Sequence, residues 1–255
     1  MSWLRRRIAE VQVAFMLLTR LPAGRLGGDA PELADAKWAF PLAGLVVGGS
    51  LAGVYITMNS LGLPAGLAAI LALGVGVMMT GGLHEDGLAD CADGFGGGQT
   101  KDQKLAIMKD SRVGSYGVLA LILVIAARIM ALAALPATAQ SLILVISLAM
   151  ASRLMMVVYL NWQPPARTEG LGHQAGKDGG PSVFVAACLC VPAMLYGGDF
   201  VLFSLAALCG VALIIGWIAN RQIGGQTGDV CGAVQILSET AAWVCLTVLL
   251  SLDSV

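Results

Sequence analysis

Charge is scarce in this chain. Of its 255 residues, 12% are Asp, Glu, Lys or Arg, about half the share of a soluble domain. The net formal charge is −1, which gives no sign of a nucleic-acid partner. No CxxC pair occurs among the six cysteines, Cys91, Cys188, Cys190, Cys209, Cys231 and Cys245. Most of them fall in apolar runs, where they read as small hydrophobes and not as a disulfide frame or metal site. Arg5, Arg6 and Arg7 are not followed by a compact apolar core with a small-residue cleavage site, so the N-terminus does not read as a cleaved signal peptide. No linker separates two folded units and no internal repeat stands out, so residues 1–255 are expected to form a single membrane-embedded domain.

What the chain has instead is hydrophobicity, at 57% of residues. Apolar runs of about 20 residues recur, each long enough to cross a hydrocarbon core of about 30 Å. They are continuous and not alternating, which excludes a β-barrel. The expected fold is all-α: a polytopic membrane bundle of about seven transmembrane helices, at roughly 38–60, 63–83, 115–135, 138–160, 181–197, 200–219 and 231–251. Ahead of them, Trp3 to Arg20 sets Leu4, Ile8, Val11, Phe15 and Leu18 against Arg5, Arg6, Glu10 and Gln12. That is the pattern of an amphipathic helix at the membrane surface or in the bundle. The Pro/Gly-rich stretch LPAGRLGGDAPE follows it.

Lys and Arg alternate across these spans. They occur before the first span (Arg5, Arg6, Arg7, Arg20, Arg25, Lys37), after the second (Lys101, Lys104, Lys109, Arg112), after the fourth (Arg167, Lys177) and after the sixth (Arg221). The other connections, near Gly62, Pro136 and Gly198, have none. The positive-inside rule then puts the N-terminus and the loops near 84–114, 161–180 and 220–230 in the cytoplasm, around one site at the helix ends. Arg128 and Arg153 lie within spans, where a charge faces the bundle interior or a polar cavity. Arg153, near the cytoplasmic end, is a candidate to reach the site. Arg128 lies deeper, a candidate to pair with a carboxylate or carbonyl.

Against this background the stretch GGLHEDGLADCADGFGGG, Gly81 to Gly98, stands out. Asp86, Asp90 and Asp93 are spaced i, i+4, i+7 and project from one helical face, with Glu85 on a neighbouring face. Like charges so placed repel, and a divalent cation relieves them; oxygen-only ligands suit Mg²⁺ or Mn²⁺, not Zn²⁺. The alternative is a solvated acidic loop. HEDGL is not HExxH, since Leu88 occupies the second histidine position, so a zinc-protease site is excluded. His84 is either a core or interfacial histidine or a contact for a phosphate or leaving group. Gly96 and Gly97, in the glycine cluster, let backbone N–H groups approach an anion as a phosphate nest does.

Two further polar segments complete the set. In KDSRVGSYG, Lys109 and Arg112 either bind an anion, phosphate being the common one, or anchor the helix to the membrane surface. In RQIGGQTGDVCGA, Arg221 is a candidate anion contact, and Asp229 either caps the last span or adds a metal ligand. Glu239 is a buried carboxylate that needs a partner. Carboxylate-held Mg²⁺, basic residues and a glycine loop are the parts for transfer at a phosphate. The membrane position suits an amphiphilic substrate.

The run GGLHEDGLADCADGFGGG, with IMKDSRVGSYGVLAL, PPARTEGLG and GGQTGDVCGA, closely resembles the cobalamin synthase family of adenosylcobinamide-GDP ribazoletransferases, over nearly the whole chain. The resemblance implies that adenosylcobinamide-GDP is joined to α-ribazole or α-ribazole 5′-phosphate, giving adenosylcobalamin or its 5′-phosphate and GMP, with Mg²⁺ required. It also implies a multi-pass protein of the bacterial inner membrane, in contact with lipid. A membrane anchor makes a complex with other enzymes of nucleotide-loop assembly a further expectation. On this basis Glu85, Asp86, Asp90 and Asp93 are the expected metal ligands, and Asp86, Asp90 and Asp229 the expected catalytic carboxylates. His84, Gly96, Gly97, Lys109, Arg112, Arg153 and Arg221 are the expected substrate contacts. A looser similarity links the acidic helix to CDP-alcohol phosphatidyltransferases, although Asp90 stands where their Ala-Arg pair would fall. A reading from another class is a cation-binding transporter.

Overall fold

The structure is a computed structural model that describes residues 2–27, 30–176 and 182–253. Lys177, counted among the loop charges, and Gly28 and Asp29 of the Pro/Gly stretch lie outside the described residues, as does the start of the expected span 181–197.

The described residues are helical and contain no named strand. In chain order the helices are α1 (Trp3–Leu18), α2 (Leu33–Ala36), α3 (Phe40–Ser60), α4 (Ala65–Thr80), α5 (Leu83–Gly97), α6 (Lys101–Ile107), α7 (Ser115–Ala134), α8 (Ala139–Trp162), α9 (Leu171–Ala175), α10 (Ser182–Ile223) and α11 (Gly228–Asp253). Each of the seven expected spans has a helical counterpart. Among the described residues, five segments are long and apolar enough to cross a membrane: Leu33–Ser60, Ser115–Ala134, Ala139–Trp162, Asp199–Ile223 and Gly228–Leu252. Ser182–Tyr196 is shorter. The expected span at 63–83 differs most: α4 ends at Gly81 and Gly82, both at positive φ, and α5 leaves at 87° to it.

The expected spans 181–197 and 200–219 both fall in α10. Its buried residues join one core cluster at Ala186 and Cys190, another at Val201 and Leu208, and the first again at Ala219 and Ile223. That is the path of two crossings. A single rod of this length would be about 63 Å long, twice the hydrocarbon thickness.

α8 is the central post and is largely buried, whereas α7 turns most of its surface outward. Backbones come close where side chains are smallest. A Cβ on Gly44 of α3 would stand 2.5 Å from the Ala149 carbonyl of α8, and one on Gly48 would meet the Ala149 Cβ at 2.6 Å. Such small-residue seams are how helices associate where water supplies no hydrophobic drive.

The three polar loops gather at one end. Gln226 donates its N–H to the Pro164 carbonyl and Ala166 donates back to Gln226, each at 2.8 Å. Arg167 Nη2 donates to the Leu105 carbonyl at 3.1 Å, and Lys104 bonds Gln222. The segments 98–114, 163–176 and 224–227 are thus tied to each other around the exit of α5.

Candidate functional site

The site forms where α5 crosses the start of α11. Gly87 has no room for a side chain, because a Cβ there would stand 2.6 Å from the Asp229 carbonyl oxygen. Gly232 approaches the His84 backbone in the same way, at 3.3 Å. These contacts clamp the two helices and bring Asp90 within electrostatic reach of Asp229, Asp86 and Asp93. The nearest balancing charge is Arg167, whose Nη2 lies 3.8 Å from Asp229 Oδ2. One guanidinium against this group leaves the seam negative. Thr227, not Asp229, caps α11: its Oγ1 accepts the Val230 N–H at 3.2 Å, and its hydroxyl donates to Asp229 Oδ2 at 3.2 Å. Asp229 is therefore free for another role.

The trio expected from spacing divides. Asp93 is buried, and its Oδ2 and Oδ1 accept the N–H groups of Gly114 and Gly117 at 2.7 and 2.9 Å. It fastens the entrance of α7, and a Cβ at either glycine would collide with it. Asp86 is exposed and Asp90 half-buried, so these two and Asp229 are the carboxylates open to a ligand. Glu85 leans the other way. Its charge acts on Arg153, and its Oε2 is buried without a hydrogen-bond partner.

Several expected contacts lie elsewhere. Gly96 and Gly97 are in the last turn of α5, where a helix presents carbonyl oxygens and not free N–H groups. No anion nest forms there. Gly96 instead admits the Tyr116 ring, which a Cβ would meet at 2.8 Å. Arg112 is turned onto Asp110 at 2.6 Å with its side chain 87% exposed. Its side-chain and backbone hydrogen bonds hold the Asp110 carboxyl down at about 2. Lys109 is exposed beside it. Arg153 is buried and bonded to Glu239 at 2.6 Å, beneath the site. Arg221 is exposed and stacks on Trp217, 4.5 Å from the ring centre, on the outer face of the bundle. Arg128 and Glu239 do find the partners that burial demands, each other, at 2.7 Å.

Two cations were not singled out from sequence. Arg167 lies in PPARTEGLG, a segment noted only as a motif; Arg20 carried no signal beyond loop charge. Arg20 lies against Gly81 and donates its N–H to the Met79 carbonyl at 2.6 Å.

Three cavities adjoin the seam. A cleft of about 480 Å³ is lined by Arg20, Thr80, Glu85 and Asp86. An apolar pocket of about 100 Å³ lies between Leu18, Phe40 and Met156, with His84, Asp86 and Asp229 in its wall. A polar pocket of about 120 Å³ is lined by Arg167, Glu169, His173, Gln226 and Asp229. Asp86 is common to the first two and Asp229 to the last two.

Among the described residues, no three His, Cys, Asp or Glu side chains form a ready ligand set. The open group Asp86, Asp90 and Asp229 still fits a hard divalent cation. Its donors are all oxygen and its charge is unbalanced. Mg²⁺ takes one or two carboxylates and completes its shell with phosphate oxygens and water.

A family model described as cobalamin-5-phosphate synthase matches residues 10–247. The chain is similar to proteins named adenosylcobinamide-GDP ribazoletransferase: it is 43% identical to that of Bradyrhizobium diazoefficiens over 239 residues, 92% of each chain. The Xanthobacter autotrophicus protein is 45% identical, over 90% of this chain and 92% of its own. That of Chlorobaculum tepidum is 40% identical, over 93% and 94%. No solved structure matches the chain.

Proposed function

The chain belongs to the cobalamin-5-phosphate synthase family, and we propose how its site performs the transfer for which its relatives are named. The enzyme joins adenosylcobinamide-GDP to α-ribazole or α-ribazole 5′-phosphate, giving adenosylcobalamin or its 5′-phosphate and GMP. A ribose hydroxyl attacks the phosphorus that stays on cobinamide, and the bond from that phosphorus to the GMP oxygen breaks. Two demands follow: the hydroxyl proton needs an acceptor, and the diphosphate's charge needs neutralising.

The observation that carries this reading is the open carboxylate seam at the meeting point of three cavities. Asp229 is common to the apolar and polar pockets, between two bound substrates, and takes the hydroxyl proton. Arg167 beside it orients its carboxylate and faces the diphosphate from one side, while Arg20 faces it from the cleft. Asp86 and Asp90 with Asp229 would hold Mg²⁺; bound there, the ion would neutralise the diphosphate and assist the leaving group. The seam faces the cytoplasm across the bacterial inner membrane, a reading supported by the alternation of Lys and Arg between spans.

The test is GMP release and cobalamin formation by detergent-solubilised protein, with and without Mg²⁺, for the wild type and Asp90→Ala. Metal-dependent product, reduced about 10²–10³-fold in the variant, is expected for loss of a group that stabilises transition-state charge. Full activity without divalent metal, or in the variant, rejects the carboxylate-held ion.

A further inference from the structure

The first half of α1 is turned inside out. Its carboxylate, Glu10, is 0% exposed and accepts from Arg6 at 3.2 Å, Arg7 at 2.7 Å and the Trp38 ring N–H at 2.7 Å. Outward it shows Trp3, Leu4 and Ile8, which are 73%, 61% and 52% exposed. Leu4, Ile8, Val11 and Phe15 follow helical spacing and form one stripe, with Arg5 and Arg7 on its two flanks. A helix so turned suits the boundary of a bilayer, with its apolar stripe in lipid and cations beside it. The stripe continues into a groove of about 420 Å³, where Ile8, Val11 and Phe15 face Leu21, Ala23 and Trp38. Arg7 is the charged residue of its lining. None of the residues that line it lines the three cavities at the seam.

We infer that this groove holds part of one acyl chain of an anionic glycerophospholipid, with the headgroup beside Arg5 and Arg7. Depth is the first argument. Trp38 lies in the first turns of the apolar segment Leu33–Ser60, which is long enough to cross a membrane, so the groove opens at the end of a crossing. Trp3 and Trp38 are the residue type that gathers at that level. Charge is the second argument. Arg6 reaches Asp35 at 3.2 Å, and the Glu10 charge is already enclosed. Arg5 is exposed and makes no ion pair among the described residues. The groove is therefore flanked by a surplus of cations, and an anionic headgroup balances it. A second copy of the chain suits it less, because a two-fold contact across the groove would set these arginines against their own equivalents.

The experiment places the full chain in nanodiscs of equal parts phosphatidylcholine and phosphatidylglycerol with matched acyl chains. Native mass spectrometry then counts the lipids that stay on the protein after release. One phosphatidylglycerol per chain should remain, favoured about tenfold or more over phosphatidylcholine, since each arginine near a membrane surface contributes about fivefold toward anionic lipid. Arg5→Gln leaves the Glu10 bonds intact and should lower that preference about fivefold. Ala23→Phe fills the groove and should remove the retained lipid. A wild type that retains both lipids equally, or retains none, overturns the inference whether or not the variants fold. So does a protein dimer that carries no lipid, which would give the groove to a second copy. A folded Ala23→Phe variant that keeps its phosphatidylglycerol overturns it as well, because the lipid then sits elsewhere.

Discussion

Two clusters of charge share α11, with Asp229 in one and Glu239 in the other, and are built on opposite rules. Inside the bundle, Glu239 receives Arg128 at 2.7 Å and Arg153 at 2.6 Å. Gln235 and the Ser152 hydroxyl also donate to it, at 2.6 and 2.7 Å, and Arg128 lies over the Trp243 ring at 4.3 Å. These groups tie α7, α8 and α11 to one another, with the carboxylate surrounded by donors. At the seam, Arg167 stands 3.8 Å from Asp229 and Arg20 shares a cleft with Asp86, and the two helices meet through glycine contacts and an apolar core that includes Leu88, Cys91, Val230 and Val234. Buried charge is tolerated where it is closed on itself. Charge left open, although the same kinds of residue close it nearby, is what the proposed function gives a ligand to balance.

Breaking the closed cluster should have the largest effect on the fold. Glu239→Gln leaves two buried guanidiniums without their carboxylate and should cost about 3–5 kcal/mol, read as a lowered unfolding temperature in detergent. Asp90→Ala at the open cluster should reverse that pattern, cutting turnover without lowering the unfolding temperature, because it removes a repulsion. If Asp90→Ala melted early and Glu239→Gln did not, the contrast between the clusters would be wrong. Asp93 belongs with the closed type despite lying on the acidic helix. Asp93→Ala should cost about 1–3 kcal/mol, chiefly by stranding the buried Gly117 N–H, with faster hydrogen exchange at Gly114 and Gly117. The smallest effect is expected at the outer face: Arg221→Ala loses a stacking contact worth about 0.5–1 kcal/mol, and steady-state assays should find turnover unchanged.

Composition and periodicity made the helical class and its crossings legible, because a lipid environment demands long apolar runs and leaves little choice of structure. The acidic helix was legible as well, since Asp86 and Asp90 share a face by spacing alone. What spacing does not encode is the partner a side chain meets from another helix. Asp93 has the same periodicity as its neighbours but is turned to the entrance of α7 by two glycines 21 and 24 residues further on. Arg153 and Arg112 looked available because their carboxylates, Glu239 and Asp110, were not matched to them in advance. The glycines at 96 and 97 misled for a local reason: they continue the helix and so present the wrong end of the peptide dipole.

A chain that ran straight through Gly81 and Gly82 would set Glu85 and Asp86 in the middle of a helix, where the nearby amide groups are already bonded. The 87° break starts a new helix at Leu83, with no side chain capping it and with Glu85 and Asp86 in its first turn. The partial positive charge of those amides favours each carboxylate by about 0.3–1 kcal/mol. The main chain thereby acts as a resident counter-ion, which side-chain substitution at the site leaves in place.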